Sequence, residues 1–301
     1  MSYSAHSHAA DPRNASILID INGELVPRAE ARVSVFDSAF MLGDGIWEGL
    51  RVYAGRIAFL DRHFDRLYAA AKALDFDIGI NRAALADRLY ATLAANGMRD
   101  GVHIRLMVSR GTKSTPYQDP RVTVGPATIV IIAEYKSSTA QAEERALSLF
   151  TVHVRRGYAD VQDPGLNTHS KLNCIFACIQ ATKAGADEAL MLDPHGFVAT
   201  CNSTHFFIVK RRELWTSTGD YCLDGITRGV VIELAERNGY RVRQRNFTVA
   251  DVYAADEAFV TGTFAGLVPV ASVDGRAIGD GQRPVMASLQ ELYMAAATTA
   301  D

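Results

Sequence analysis

The chain has few cysteines and no long apolar segment. Its 301 residues include four cysteines, none of them in a CxxC pair or a spaced zinc pattern, so we expect reduced thiols rather than disulfides or a metal centre. The longest apolar runs, such as residues 127–133, fall far short of the roughly 20 residues that a membrane helix needs. The amino-terminal segment also lacks a signal-peptide core. These absences predict a cytosolic protein without a membrane span.

The chain also lacks an excess of charge of either sign. It has 31 basic and 34 acidic residues and a net charge of −3, so no basic field is available to recruit nucleic acid or an anionic membrane. Serine-hydrolase, Walker and dinucleotide-binding motifs are absent as well. With 48% hydrophobic residues, the chain has enough apolar content for a large core. Chemistry on a small molecule is the favoured class of function.

The pattern of turns and apolar residues indicates two domains. The turns at Asn22-Gly23 and Ala54-Gly55 predict hairpins, because Asn-Gly supplies the positive φ angles of a tight turn. Apolar spacing predicts helices over residues 60–74, 83–95, 172–183 and 227–238. The predicted boundaries are a mobile tail over 1–16, a small α+β domain over 17–134, a linker over 135–146 and a large domain over 147–301.

Two short motifs are suited to holding a phosphate ester. Gly225-Ile226-Thr227 stands just before a predicted helix, where backbone amides and a hydroxyl favour an anion. Thr261-Gly262-Thr263 ends a predicted strand, and its glycine permits close approach. Taken alone, either motif is more often an ordinary capped turn.

The order of segments over residues 187–228 resembles the class IV aminotransferases. These are the fold-type IV pyridoxal-phosphate enzymes, which include branched-chain and D-amino-acid aminotransferases and aminodeoxychorismate lyase. The resemblance extends over residues 19–289. It implies a two-domain α+β and α/β fold in which the larger carboxy-terminal domain has a barrel-like sheet. It also implies pyridoxal 5′-phosphate as cofactor, a cytoplasmic homodimer, and an amino donor and a 2-oxo acid acceptor as substrates.

Several site residues follow from the resemblance alone. The cofactor-binding candidates are Arg66 (preferred to Arg62), Thr200, Leu223 against the ring face, Ile226, Thr227 and Thr263. The substrate-binding candidates are Trp47, His103 and Arg105. Taken without the family, these residues can equally be a helix-surface arginine, core residues or a strand charge. The arginine–histidine carboxylate trap of the D-amino-acid enzymes is missing from residues 115–118, which disfavours D-amino-acid specificity of that kind.

The position of the Schiff-base lysine departs from the family pattern. A gapless comparison puts Asn167 where the lysine is expected and puts Lys171 one helical turn later, where relatives often carry a tyrosine. Residues four apart share a helix face, so Lys171 is the predicted catalytic residue. A four-residue deletion in the following helix would lead to the same lysine. A surface lysine that forms no imine is the structural alternative.

Thr200 is the second departure, because the family usually places a glutamate beside the pyridine nitrogen. A hydroxyl carries no charge to stabilise the protonated ring, so we expect a weaker electron sink. His205 likewise replaces the family's usual asparagine. The predicted function is transamination between a branched-chain or other apolar amino acid, or an amine, and a 2-oxo acid. A lyase or eliminase, and a cofactor-binding homologue with little turnover, are the alternatives.

Overall fold

The computed structural model describes residues 10–136 and 146–299. These residues form two compact units. The smaller comprises residues 10–136, 167–170 and 298–299, and the larger comprises 146–166 and 171–297. Most of the predicted tail and linker, namely residues 1–9 and 137–145, lies outside the described residues. The short segment 167–170 belongs to the smaller unit because it pairs with one of its strands, so the units do not divide at a single linker.

The smaller unit is built on a six-stranded antiparallel sheet with the order β2-β1-β6-β5-β3-β4. Its strands are β1 Leu18–Ile21, β2 Glu24–Pro27, β3 Gly45–Tyr53, β4 Arg56–Ile57, β5 Val102–Ser109 and β6 Thr128–Tyr135. Its helices are α1 Ser38–Leu42, α2 Leu60–Ala73 and α3 Arg82–Ala95. The predicted Asn22-Gly23 turn is present, with both residues at positive φ.

One face of this sheet is buried and the other is only half-buried. Alternate residues of β3 and β5, such as Leu50 and Ile104, are fully buried, and α2 and α3 pack against the sheet. The intervening positions carry Trp47, His103 and Arg105, which are half-buried. Because side chains alternate along a strand, these three residues share the less buried face.

The larger unit has a nine-stranded mixed sheet with the path β12-β11-β10-β13-β14-β7-β8-β9, and β15 pairs with β14. Its strands are β7 Leu147–Thr151, β8 Glu188–Leu192, β9 Val198–Cys201, β10 His205–Lys210, β11 Glu213–Thr216, β12 Arg241–Gln244, β13 Glu257–Gly262, β14 Gly266–Val273 and β15 Arg276–Ala277. Its helices are α4 Ala159–Gln162, α5 Leu172–Lys183, α6 Ile226–Arg237, α7 Val249–Tyr253 and α8 Pro284–Thr299.

The sheet of the larger unit curls back on itself. Strand β9 is at the end of the path, yet it contacts β10, which lies near the other end. The predicted barrel-like sheet is therefore confirmed. Helix α8 was not predicted from the sequence, although it buries Leu289 and Tyr293. None of the helices within the described ranges has the length and apolarity needed to cross a bilayer.

Candidate active site

The start of helix α6 has amides that no helical carbonyl accepts. The first helical bond runs from the Gly229 amide to the Gly225 carbonyl, so the amides of residues 226–228 precede the ladder. The N-cap residue, Gly225, has no side chain that could accept from them. Thr227 is buried, and its hydroxyl lies 3.4 Å from that of Tyr293 on α8. An uncapped helix start with a buried hydroxyl is a suitable site for an anion.

A second buried hydroxyl lies at the end of β13. Thr261 is fully buried, and its Oγ1 has no hydrogen-bond partner among residues 10–136 and 146–299. Its neighbours Gly262 and Thr263 are half-buried. Thr261 pairs across the sheet with His205 on β10, and the His205 ring lies against Gly225. The structure therefore brings the two predicted phosphate motifs together in one unit, with His205 touching both.

Thr200 is buried on β9 and its hydroxyl is already engaged. Its Oγ1 donates to the Thr204 carbonyl at 2.8 Å, so the hydroxyl keeps only acceptor capacity towards another group. Leu223 and Ile226 are half-buried, and both belong to the segment that leads into α6. Leu223 and Ile226 are therefore partly accessible to a bound molecule. The hydrogen bond that holds Thr200 could not be predicted from the sequence.

Glu188, which sequence reasoning did not single out, anchors the turn that follows Thr200. Its Oε1 accepts hydrogen bonds from the Ser203 amide at 3.1 Å, the Ser203 hydroxyl at 2.6 Å and the Thr204 hydroxyl at 2.9 Å. Burial raises the pKa of the Glu188 carboxyl, and the hydrogen bonds from Ser203 and Thr204 offset only part of that rise. A buried acidic residue at the first position of an otherwise apolar strand is the signal that indicates such an anchor.

Asn167 is held by the backbone of the smaller unit. Its Nδ2 donates to the Trp47 carbonyl at 2.6 Å, and the Trp47 amide donates to the Asn167 carbonyl at 3.0 Å. Thr168 pairs with Ile46 as an antiparallel bridge. Asn167 is 3% exposed. Lys171 follows this segment directly. It is half-buried and is the N-cap residue of α5.

Arg66 is held by a buried carboxylate in the smaller unit. Glu48 accepts from Arg66 Nε at 2.8 Å and from Nη2 at 2.6 Å, and its Oε2 lies 2.7 Å from His63 Nδ1. Burial alone would raise the pKa of Glu48, but the hydrogen bonds from His63 and Arg66 outweigh it, so the pKa lies below its ordinary value. The guanidinium is thereby oriented, which suits a residue that recognises an anion.

The predicted substrate residues are neighbours on the half-buried face of the same sheet. The Arg105 guanidinium carbon lies 3.7 Å from the centre of the Trp47 ring, and Arg105 pairs with Gly49 across the strands. A Cβ on Gly49 would lie 3.2 Å from the His103 ring. Burial lowers the pKa of Arg105. Trp47, His103 and Arg105 therefore lie together on one face of this sheet, and their role in substrate binding stays a prediction.

The comparisons with known proteins identify the family. The family described as amino-transferase class IV matches residues 45–273. The chain belongs to the class IV aminotransferases. The predicted family and fold are therefore confirmed, and so is pyridoxal 5′-phosphate as the family's cofactor.

Individual relatives of this class IV aminotransferase carry more specific names. The branched-chain-amino-acid aminotransferase-like protein 2 of Arabidopsis thaliana is 39% identical over 283 residues, which are 94% of this chain and 50% of the relative. The chain thus spans about half the length of the first curated relatives it matches. A branched-chain-amino-acid aminotransferase of Pseudomonas aeruginosa is 33% identical and covers 90% of each chain. The solved structure of a branched-chain aminotransferase from Thermoproteus uzoniensis with norvaline has a TM-score of 0.83 at 30% identity, over 93% of this chain and 94% of that chain.

The residues of the larger unit fit pyridoxal 5′-phosphate. A phosphate ester requires several donors in a confined space, and the uncapped start of α6 and the buried hydroxyl of Thr261 provide them. Thr200 has a buried hydroxyl whose oxygen keeps its acceptor capacity. The described residues contain no cluster of His, Cys, Asp or Glu that could hold a metal ion.

Proposed function

We propose that the protein is a pyridoxal-phosphate-dependent transaminase that uses Lys171 as its catalytic lysine. It moves an amino group between a branched-chain or other apolar amino acid, or an amine, and a 2-oxo acid. The observation that carries the proposal is the position and the ion pairing of the lysines after residue 146. These are Lys171, Lys183 and Lys210. Lys210 is paired with Asp251 at 2.8 Å, and Lys183 lies in the last turn of α5. Lys171 stands at the start of that helix, directly after the segment held by Asn167.

Each residue has a defined task in this proposal. When bound, the cofactor supplies an electron sink for the electrons left on loss of the substrate α-proton. The Lys171 amine anchors the cofactor and moves that proton as general base and acid. Ile226, Thr227 and Thr263 would hold the phosphate, Leu223 would lie against the ring and Thr200 would hydrogen-bond the ring nitrogen. Arg66 would be a further phosphate ligand, as the family resemblance implies. Trp47, His103 and Arg105 bind the substrate.

Reduction with borohydride followed by peptide mapping tests the assignment. We expect a stable label on Lys171 in the wild-type protein and no label in Lys171→Ala, together with loss of transamination. Lys183→Ala, at the opposite end of the same helix, is the matched control and keeps both. A label on another lysine, or transamination by Lys171→Ala, would overturn the proposal.

A lyase or eliminase is the second candidate, and Thr200 favours it. The hydroxyl of Thr200 is neutral and already donates to Thr204, so it cannot stabilise a protonated ring nitrogen as a carboxylate does. Formation of a 2-oxo acid from a single amino acid, in the absence of any acceptor, would support this candidate. If Lys171 is labelled but neither reaction proceeds with a broad panel of amino donors, a cofactor-binding homologue with little turnover becomes the better description.

We also infer a cytoplasmic homodimer. Helix α5 presents an exposed apolar face at the spacing of a helical stripe, formed by Leu172, Ile175, Phe176 and Ile179, of which Phe176 is 54% exposed. Apolar patches of this kind mark protein interfaces. Light scattering coupled to size exclusion should give twice the chain mass, and Phe176→Asp should shift the mass towards that of one chain.

A further inference from the structure

We propose that His205 is a positioning residue that sets the start of helix α6 for binding of the cofactor phosphate. The inference rests on the proposed function, because it assumes that residues 225–227 hold the phosphate. His205 itself is outside the set of residues predicted to contact the cofactor. It acts through Gly225, the residue that precedes the first turn of α6.

The contact between His205 and Gly225 is tight. A Cβ built on Gly225 would lie 2.3 Å from His205 Nε2 and 2.4 Å from Cδ2. The φ angle of Gly225 is −73°, which any residue adopts. The need for glycine at this position therefore comes from the imidazole and not from the backbone conformation. The ring and the helix start fit each other as a single packed pair.

The backbone that carries the His205 ring is held by neighbouring residues. The two residues before it, Ser203 and Thr204, are anchored to the buried carboxylate of Glu188. Its backbone pairs with Thr261 on β13. His205 is 8% exposed, so it has little room to move. The backbone of His205 is thus held in the sheet by β10 and β13, and its imidazole contacts Gly225 at the start of α6.

The consequence for binding is geometric. The amides of Ile226 and Thr227 follow Gly225 directly, so a displacement of Gly225 moves the donors that the phosphate requires. Hydrogen bonds weaken steeply with distance and angle. We therefore expect changes at this contact to alter cofactor affinity more than substrate affinity.

The test uses the full-length protein and pyridoxal 5′-phosphate. Gly225→Ala should weaken the Kd for the cofactor by about tenfold or more, since contacting residues couple strongly. Gly229→Ala is the matched control, because it lies one turn later in the same helix and a Cβ there meets nothing within 4 Å. It should leave the Kd unchanged. His205→Ala alone should also weaken the Kd, because the start of α6 then lacks the imidazole that sets it, and an unchanged Kd would overturn the inference. The double variant His205→Ala/Gly225→Ala should bind better than Gly225→Ala, because the clash is removed, but no better than His205→Ala.

Two further readouts separate positioning from general destabilisation. The absorbance maximum of the bound cofactor should shift in both Gly225→Ala and His205→Ala. Leu93→Ala, a buried substitution on α3 of the smaller unit that lowers the Tm of the cofactor-free protein, should leave the maximum and the Kd unchanged. If the double variant binds no better than Gly225→Ala, or if the Kd follows the Tm alone, the inference is wrong.

Thr227→Ala distinguishes the failure of the proposed phosphate site from the failure of the role of His205. If it leaves the Kd unchanged, the proposed phosphate site fails; if it weakens the Kd while Gly225→Ala does not, only the role of His205 fails.

Discussion

Asn167 and Trp47 are joined by two hydrogen bonds that run in opposite directions. The Asn167 carboxamide donates to the Trp47 carbonyl, and the Trp47 amide donates to the Asn167 carbonyl. The Trp47 indole also donates to the carbonyl of Thr168 at 3.1 Å. Asn167, which a gapless comparison puts in the lysine position, therefore has a structural role: it clamps residues 167–168 to β3 through hydrogen bonds. It fixes the segment that leads into Lys171.

Asn167→Ala should lower the free energy of unfolding by about 1–3 kcal/mol, because it leaves the Trp47 carbonyl without the carboxamide donor. Asn167→Lys should be at least as destabilising and should not take the borohydride label from Lys171. Denaturant unfolding and peptide mapping measure the two effects. Asn238→Ala, which removes an exposed hydrogen bond to Leu234, is the control and should change stability by less than about 0.5 kcal/mol. A labelled lysine at position 167 in Asn167→Lys would contradict the clamp.

Local patterns were sufficient to predict most elements but not the contacts that join them. Helix α5 has the predicted bounds, because apolar spacing and a terminal lysine are local signals. Helix α8 was missed because its Ala- and Thr-rich sequence has no sharp apolar stripe. The pairing of Asn167 with Trp47 spans 120 residues, and no local preference encodes it. The same holds for the steric fit between His205 and Gly225, which depends on how β10 and α6 pack in three dimensions.

Glu48 should make stability depend on acid pH. Its pKa is lower in the folded protein than its ordinary value of 4.5, so the unfolded chain binds more protons as the pH falls. Its contribution is therefore fully present above about pH 4.5 and is lost as the pH falls through the lowered pKa. At pH 7, Glu48→Gln should be less stable by about 3–5 kcal/mol, because the buried pair loses one partner.

Unfolding of both proteins by denaturant across the range from pH 3 to 7 measures this effect. The gap between wild type and Glu48→Gln should shrink towards the acid end. Asp65→Asn, which breaks the exposed ion pair with Arg82, is the control and should have little effect at any pH. A gap that stays constant with pH would show that Glu48 is not the linked group.

The Thr200 hydroxyl should be needed both for stability and for activity. Thr200→Val keeps the shape of the side chain but removes one of the two donors to the Thr204 carbonyl, which also accepts from the Cys201 amide at 2.9 Å. The free energy of unfolding should therefore fall by about 0.5–1.5 kcal/mol. Thr200→Ser keeps the hydroxyl and should retain both stability and turnover. Turnover by Thr200→Val at the wild-type rate would remove Thr200 from the proposed ring contacts.

Arg105 and Trp47 should govern substrate affinity more than the rate of the chemical step. The guanidinium lies over the indole at 3.7 Å, a contact that a lysine ammonium cannot reproduce in the same planar form. Arg105→Lys should raise KM for the 2-oxo acid by about tenfold with a smaller change in kcat, since binding that is equal in ground and transition states appears in KM. Arg276→Lys, an exposed arginine over Tyr253, should leave steady-state kinetics unchanged. If kcat falls while KM does not, Arg105 acts on the chemical step rather than as a substrate anchor.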